Sequence, residues 1–396
     1  MGFWSMLFGN NSNNNNISNT VGNNNAPSAT PGNPNGANWL KNIAPKTASQ
    51  TVMTVYSENG DSFDIHAVDC KASGGEGTVY EFRQNPDFII KIYKDSIIND
   101  PVKTAELNAR IIAMFKIKPC KTMNFLAWPV MPVFNKNRQI IGFVMRKVQG
   151  VSLRSLFGIS NIQKNFPGWD KLKLIEIAID FVQKIRLLQS YGVQVNDFNP
   201  DNFLVDRNGK VQFIDCDSFQ ITAPNKKIHI TRTFYPSHCA PELLNHKAML
   251  GYSRNEHHLE FGVAIIIFNI LMCGLHPYSY YDTRSNDFCG TPDENLKKGR
   301  CPLGIGAGCL FPRGNWYNLW SWLTGRTKNG FIQTFRAGHA NPEARTSLDE
   351  WSTILQQLHF EAKRTPERRL LAPVRAQPRQ SKSNNYNVPV QNFKNF

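Results

Sequence analysis

Two stretches decide the reading of this 396-residue chain: Asn196-Asp197-Phe198-Asn199-Pro200-Asp201-Asn202-Phe203-Leu204-Val205 and, just after it, Phe213-Ile214-Asp215-Cys216-Asp217. Asp197 supplies a carboxylate that can orient a hydroxyl. Asn202 supplies an amide oxygen, and Asp215, thirteen residues further on, supplies a second carboxylate. Oxygen donors of this kind suit a hard divalent cation. Asp and Asn are also common in turns, so the trio gains weight only from what surrounds it.

Upstream, Ala72-Ser73-Gly74-Gly75-Glu76-Gly77-Thr78-Val79-Tyr80 sets a glycine cluster between two strand-like runs. Gly74, Gly75 and Gly77 let a backbone come close to phosphate oxygens. Phe88-Ile89-Ile90-Lys91-Ile92-Tyr93 then reads as an apolar strand with a Lys inside it. Residues two apart on a strand share a face, so Lys91 and Ile89 should look into one cleft together with Val79. That places an ammonium beside phosphates and apolar groups around a base. Lys94 has the opposite parity and should point away. Lys91 needs a carboxylate to hold it, and Glu106, on a helix expected over 104–116, is the candidate.

The chain carries 45 Lys+Arg against 30 Asp+Glu, a formal charge of +15. Eight of the basic residues fall in 361–396, beside only two acidic ones. Such a balance can attract ATP, acidic protein surfaces or nucleic acid. A nucleic-acid partner is not expected, although the basic tail allows one. The eight cysteines form no CxxC pair, so a zinc ribbon is not expected. Reduced thiols fit a cytoplasmic location. No apolar run is long enough to span a membrane, and the N-terminal residues lack the basic segment and cleavage site of a signal peptide.

Four segments are expected along the chain. Residues 1–49 are Asn-rich with little to bury and should be disordered. Residues 50–148 read as short strands at 51–56, 62–69, 78–82, 88–93 and 140–148, with the one helix between them. Residues 149–362 are helix-dominated; the run 172–188 repeats apolar residues at three- and four-residue steps, and 261–273 reads as a buried core helix. Residues 363–396 form a basic tail expected to be disordered. The fold class is α+β, with a strand-rich first lobe and a helical second lobe.

These motifs, in this order, resemble the protein-kinase superfamily over about residues 70–360, with Ala240-Pro241-Glu242 where an activation segment would close. Gly74-Gly75-Glu76-Gly77-Thr78-Val79-Tyr80, the two opening stretches extended to Ser218-Phe219-Gln220, and Gly274-Leu275-His276-Pro277-Tyr278 are similar to a narrower group. These are divergent bacterial kinases fused to helix-hairpin-helix modules, or encoded beside von Willebrand A-domain and PP2C-type phosphatase genes of tellurite-resistance-like operons. No helix-hairpin-helix segment is evident here. The resemblance implies a bilobal kinase-like fold and ATP and Mg²⁺ as cofactors. It implies a Ser/Thr protein substrate, with a PP2C-type phosphatase and a von Willebrand A-domain protein as partners.

Carried over residue by residue, Asp197 is the catalytic carboxylate, assisted by the Lys91–Glu106 pair. Asn202 and Asp215 hold Mg²⁺. Gly74, Gly75, Gly77, Val79, Ile89 and Lys91 surround ATP. Met145 is the gatekeeper, the backbone from Arg146 to Val148 bonds adenine, and Leu204 forms the floor below the base. Glu242 should pair with Arg345. The chain departs from the family pattern in several places. Val195-Asn196 replaces His-Arg, so control through an Arg clamp on a phosphorylated activation segment is not expected. Asn199 replaces a Lys, and Asp217 replaces the glycine after the metal-binding Asp, where it either assists metal binding or caps the loop. His257 stands where an Asp usually anchors the catalytic loop. An active kinase is the first expectation; a pseudokinase or nucleotide-binding scaffold acting by contact is the alternative.

Overall fold

The computed structural model describes residues 51–245, 251–279, 281–282, 287–288, 290–304 and 315–371. The tail expected at 1–49, and the part of the second tail beyond 371, lie outside the described residues.

The first lobe is one antiparallel sheet. Its strands are β1 (Thr51–Tyr56), β2 (Ser62–His66), β3 (Cys70–Ser73), β4 (Gly77–Glu81), β5 (Phe88–Tyr93), β6 (Pro129–Phe134) and β7 (Ile140–Arg146), arranged β2-β1-β6-β7-β5-β4-β3. The single strand expected at 62–69 is broken after His66 by a 3-10 turn, Ala67–Asp69, before β3 begins. Strand β6 is not legible by pattern, because Pro129 and Pro132 argue against a strand. Both prolines stand in the ladder with β7, Pro129 opposite Met145 and Pro132 opposite Phe143, with a register shift between Pro129 and Met131. On its other edge β6 shares one paired position with β1, Tyr56 with Phe134.

Helix α1 runs over Pro101–Lys116, three residues earlier than the apolar pattern suggests. Asp100 caps it, its Oδ1 accepting from the backbone N–H of Val102 and Lys103 at 3.1 Å each. Pro101 takes the first turn, where its missing N–H has no partner to lose. Leu107, Arg110, Ile111, Ala113 and Met114 form the buried face of α1.

The second lobe is helical. Helix α2 (Lys171–Ser190) buries Leu174, Ile175, Ala178, Phe181, Val182, Ile185 and Leu188, as its apolar spacing requires. Helix α3 (Glu256–Leu271) is buried on all sides, and its first turn is closed by a reciprocal pair of bonds between Asn255 and His258. Helices α4 (Gly325–Ile332) and α5 (Leu348–Arg364) complete the core. A short strand, β8 (Val151–Ser152), precedes α2, and between α2 and α3 lie β9 (Val193–Gln194), β10 (Phe203–Val205), β11 (Val211–Phe213), β12 (Gln220–Thr222) and β13 (Ile228–His229). Phe181 of α2 meets Phe203 at 5.2 Å, and Phe203 meets Phe213 at 5.3 Å, both edge to face. Such pairs add about 0.5–1.5 kcal/mol beyond area burial. They fix the short strands that carry the candidate site to the largest helix.

The boundary expected at 362/363 falls inside α5, and the ordered chain continues beyond it. Arg369 accepts a bond from Lys171 N–H at 2.9 Å through its carbonyl, and Leu371 is buried. A chain shortened to 51–371 should therefore melt like the full chain. One ending at 362 should melt several degrees lower, since a loss of about 1 kcal/mol moves the midpoint by roughly 2–4 °C in a domain of this size. Equal melting temperatures would show that the last turn of α5 and Leu371 contribute nothing.

Candidate active site

The hairpin β10–β11 brings the two opening motifs together. Phe203 pairs with Phe213, Leu204 with Gln212 and Val205 with Val211. The residues just outside this ladder, Asn202 and Asp215, are thereby held side by side; Ile214 N–H donates to Asn202 O at 2.9 Å. Asn202 Nδ2 donates to Asp197 Oδ2 at 3.0 Å, which leaves the Asn202 side-chain oxygen to face elsewhere. Asp215 sits in the left-handed region at φ 55°, and the turn closes on Ser218 N–H and Oγ, which donate to its carbonyl at 3.0 and 2.7 Å.

The catalytic-loop candidate is supported from below. Phe198 packs against Gly262 in α3, where a Cβ would overlap the edge carbons of the ring. Asp197 is 8 % exposed. Burial, and then the negative charge of Asp215, push its carboxyl up from the ordinary value, while bonds from Asn202 and the Asn199 N–H partly offset this. A carboxylate so placed is a better proton acceptor than an exposed one.

Strand β5 delivers Lys91. In register, Val79 faces Lys91 and Ile89 faces Met145, so the parity expected from the sequence holds; Lys94 is exposed. Lys91 Nζ donates to Asp215 Oδ1 at 2.6 Å and to both oxygens of Asp217 at 2.9 and 2.8 Å. Burial alone would lower the Lys91 pKa, but the two carboxylates reverse this and hold the amine firmly protonated. Gly77 is required where β4 meets β5, since a Cβ there would lie 2.7 Å from Ile92 O. Gly74 N–H closes the glycine turn onto Gly77 O at 2.9 Å.

The expected Lys91–Glu106 pair is not formed in this structure. Glu106 is on the exposed side of α1 and meets Arg232 at 3.1 Å. Besides Asp217, three residues that the sequence did not assign to the site are brought to it: Tyr93, Arg110 and Glu76. Asp217 is buried beside Lys91, and Tyr93 Oη donates to Asp217 Oδ2 at 2.8 Å. Arg110 donates from Nε to Asp217 O at 2.8 Å and from Nη1 to Ile230 O at 3.0 Å. Glu76, in the glycine turn, has its carboxyl pushed up by burial and by the charges of Asp217 and Asp215, while Lys91 and Arg110 pull it down. Two signals were available. Tyr93 lies two residues after Lys91 on the same face, and Arg110 interrupts an otherwise apolar face of α1.

Met145 is buried on β7, next to Ile89 on β5, and Val148 and Ile89 pack on the main core. Lys147 N–H donates to Asp87 O at 2.8 Å, and the Arg146 guanidinium lies over Phe88. Leu204 is half-buried on β10. Asn196 is buried, and its side-chain nitrogen has no hydrogen-bond partner among the described residues. Asn199, in the position of the expected Lys, accepts from Arg154 Nη2 at 3.2 Å; Arg154 Nε also donates to Asp201 Oδ2 at 2.7 Å. His257 bonds Glu260 at 2.9 Å. Glu242 and Arg345 form the expected pair at 2.9 and 2.8 Å. Among the described residues no cluster of three or more His, Cys, Asp and Glu has metal-site geometry. Burial pushes the thiols of Cys120, Cys239 and Cys273 up to about 12, which fits packing rather than chemistry.

No family model matches the chain. Two curated proteins are similar to it over 210 residues. Protein kinase YegI of Escherichia coli strain K12 is 31 % identical, over 52 % of this chain and 31 % of its own length. The protein of the same name from Escherichia coli O157:H7 is 30 % identical over the same shares. The chain thus spans about a third of the curated relatives it matches. Among solved structures, the ROP18 kinase domain in complex with AMP-PNP and sucrose superposes with a TM-score of 0.50 at 14 % identity, over 79 % of this chain and 86 % of that one. The fold is therefore the α+β protein-kinase fold, with a strand-rich first lobe and a helical second lobe.

Proposed function

We propose that this chain is an ATP- and Mg²⁺-dependent protein kinase that transfers the γ-phosphoryl group to Ser or Thr hydroxyls of a protein. One observation carries the reading. Lys91, Asp197, Asn202 and Asp215, scattered over 125 positions of sequence, meet on one side of the β10–β11 hairpin within a kinase fold. The similarity to a bacterial protein kinase and to a kinase domain solved with a nucleotide analogue supports it further.

The residues present fit a hard cation. Asn202 and Asp215 would hold it through side-chain oxygens, and when bound it would neutralise phosphate charge. Lys91 binds phosphate oxygens with a fixed positive charge. Asp197 orients the acceptor hydroxyl and receives its proton as the new oxygen–phosphorus bond forms. The bond from the γ-phosphorus to the bridging oxygen breaks, and ADP leaves. Val79, Ile89, Met145 and Leu204 enclose the base, and Gly74, Gly75 and Gly77 let the backbone approach the phosphates. The backbone from Arg146 to Val148 bonds adenine. Glu106 touches none of these groups here, and a role for it requires α1 to move. A PP2C-type phosphatase, a von Willebrand A-domain partner and a cytoplasmic location belong to the same proposal, carried by the resemblance alone. No described helix is long and apolar enough to cross a membrane.

The second reading, a nucleotide-binding scaffold, is favoured by Asn199, which brings no positive charge to the transferring group. Incubation with γ-labelled ATP, Mg²⁺ and a mixture of generic protein substrates separates the two. Label recovered on phosphoserine or phosphothreonine is the expected result. Tight Mg-ATP binding without any transfer would replace the kinase by the scaffold.

A further inference from the structure

We infer that Asp217 is the positioning residue for Lys91, replacing a helix-borne carboxylate, and that Arg110 has taken the helix position from which such a carboxylate would act. The inference rests on the kinase reading of the site and deepens it. Helix α1 contains one acidic residue, Glu106, and this is turned outward onto Arg232. The charged group on the buried face of α1 is a cation, Arg110, 9 % exposed.

The missing carboxylate comes from the opposite side of the cleft. Asp217 offers both oxygens to Lys91 at 2.9 and 2.8 Å, and its side chain is 2 % exposed. Tyr93 Oη supplies a further bond to Oδ2 at 2.8 Å. Arg110 fastens the segment from behind, through the carbonyls of Asp217 and Ile230 on either side of β12 and β13. The charges have changed places: the helix carries the cation, and the turn after the metal-binding Asp carries the anion.

The arrangement divides labour between two carboxylates two residues apart. Asp215 is 36 % exposed and can be reached by a cation from the cleft. Asp217 is enclosed and belongs to Lys91. A buried cation with one partner removed is left uncompensated, so Lys91 would lose its set orientation if Asp215 turned away and Asp217 were absent. A glycine at 217 would leave Lys91 with Asp215 as its carboxylate, and without one whenever Asp215 turned to a cation.

The test uses the full chain and four proteins: wild type, Asp217→Asn, Asp217→Gly, and Asp217→Gly combined with Arg110→Glu. Asp217→Asn keeps the shape and removes the charge. It should lower kcat about tenfold or more, the equivalent of ~1.4 kcal/mol in barrier. Its melting temperature reports folding separately. Asp217→Gly should behave likewise, and the double variant, with its carboxylate now on α1, should regain most of the lost rate. A merely structural Asp217 would not be rescued by a charge placed on a different element. An Asp217→Asn protein with unchanged kcat overturns the inference, as does a double variant no better than Asp217→Gly. If the wild type transfers no phosphoryl group, the kinase reading fails first. Mg-ATP affinity by calorimetry then becomes the readout: a fall of about tenfold in Asp217→Asn supports the Lys91 assignment, and unchanged affinity overturns it.

Discussion

Asp215→Ala should lower Mg-ATP affinity by about a hundredfold or more, equivalent to ~2.7 kcal/mol. Asp215 is the exposed carboxylate of the pair around Lys91, and it stands beside Asn202 at the end of the β10–β11 hairpin. Without it, the phosphate charges lose their bridge through a cation to the protein. Calorimetry with and without Mg²⁺ checks this. Wild-type affinity should rise when Mg²⁺ is added, and the variant should show little dependence. Lys91 keeps Asp217 as partner in the variant, so the fold should persist. Unchanged affinity and unchanged Mg²⁺ dependence would remove Asp215 from the metal site.

The second large effect concerns stability. Arg345 has a fully buried side chain and donates to both oxygens of Glu242, and also to Gly338 O at 2.8 Å and His257 O at 2.8 Å. Glu242→Ala should cost about 3 kcal/mol near neutral pH, because a buried guanidinium is then left without its counter-ion. The pH dependence has a defined sign. Burial pushes the Glu242 carboxyl up, but the bonds and charge of Arg345 more than reverse this, so the folded value lies below the ordinary 4.5. The unfolded chain therefore binds the proton first as pH falls. The contribution is whole above the ordinary value and is lost as pH falls through the lower folded one. Denaturant titrations of wild type and Glu242→Ala should differ most at neutral pH and converge in acid. A difference that stays constant to low pH would mean that Glu242 acts by packing rather than by charge.

Much of the arrangement of the candidate site is legible in the chain because it is set by local order. Alternation along β5 places Ile89 and Lys91 on one face, and the short loop of the β10–β11 hairpin forces Asn202 and Asp215 together. The Glu242–Arg345 pair follows from motif order alone. What was not legible depends on contacts between distant elements. Glu106 is the one acid of the helix, which makes it the candidate for Lys91, but a helix has several faces, and the burial pattern of Leu107, Ile111 and Met114 turns Glu106 outward. The same pattern brings Arg110 inward. For Asp217 the sequence leaves metal binding and loop capping open, and only the contacts with Lys91, Tyr93 and Arg110 place it. Strand β6 is hidden by its prolines, and the burial of Leu371 by the polar run 363–369 that precedes it.

In the proposed phosphoryl transfer, Asp197 orients the acceptor and takes its proton. The most direct measurement is the initial rate of transfer from γ-labelled ATP at saturating Mg-ATP, wild type beside Asp197→Ala, with nucleotide affinity measured for both. The variant should be at least about a hundredfold slower, within the ~10²–10⁴ range for a positioned acid–base group, with Mg-ATP affinity within a few-fold of wild type. An Asp197→Ala protein that transfers phosphate at the wild-type rate would contradict it.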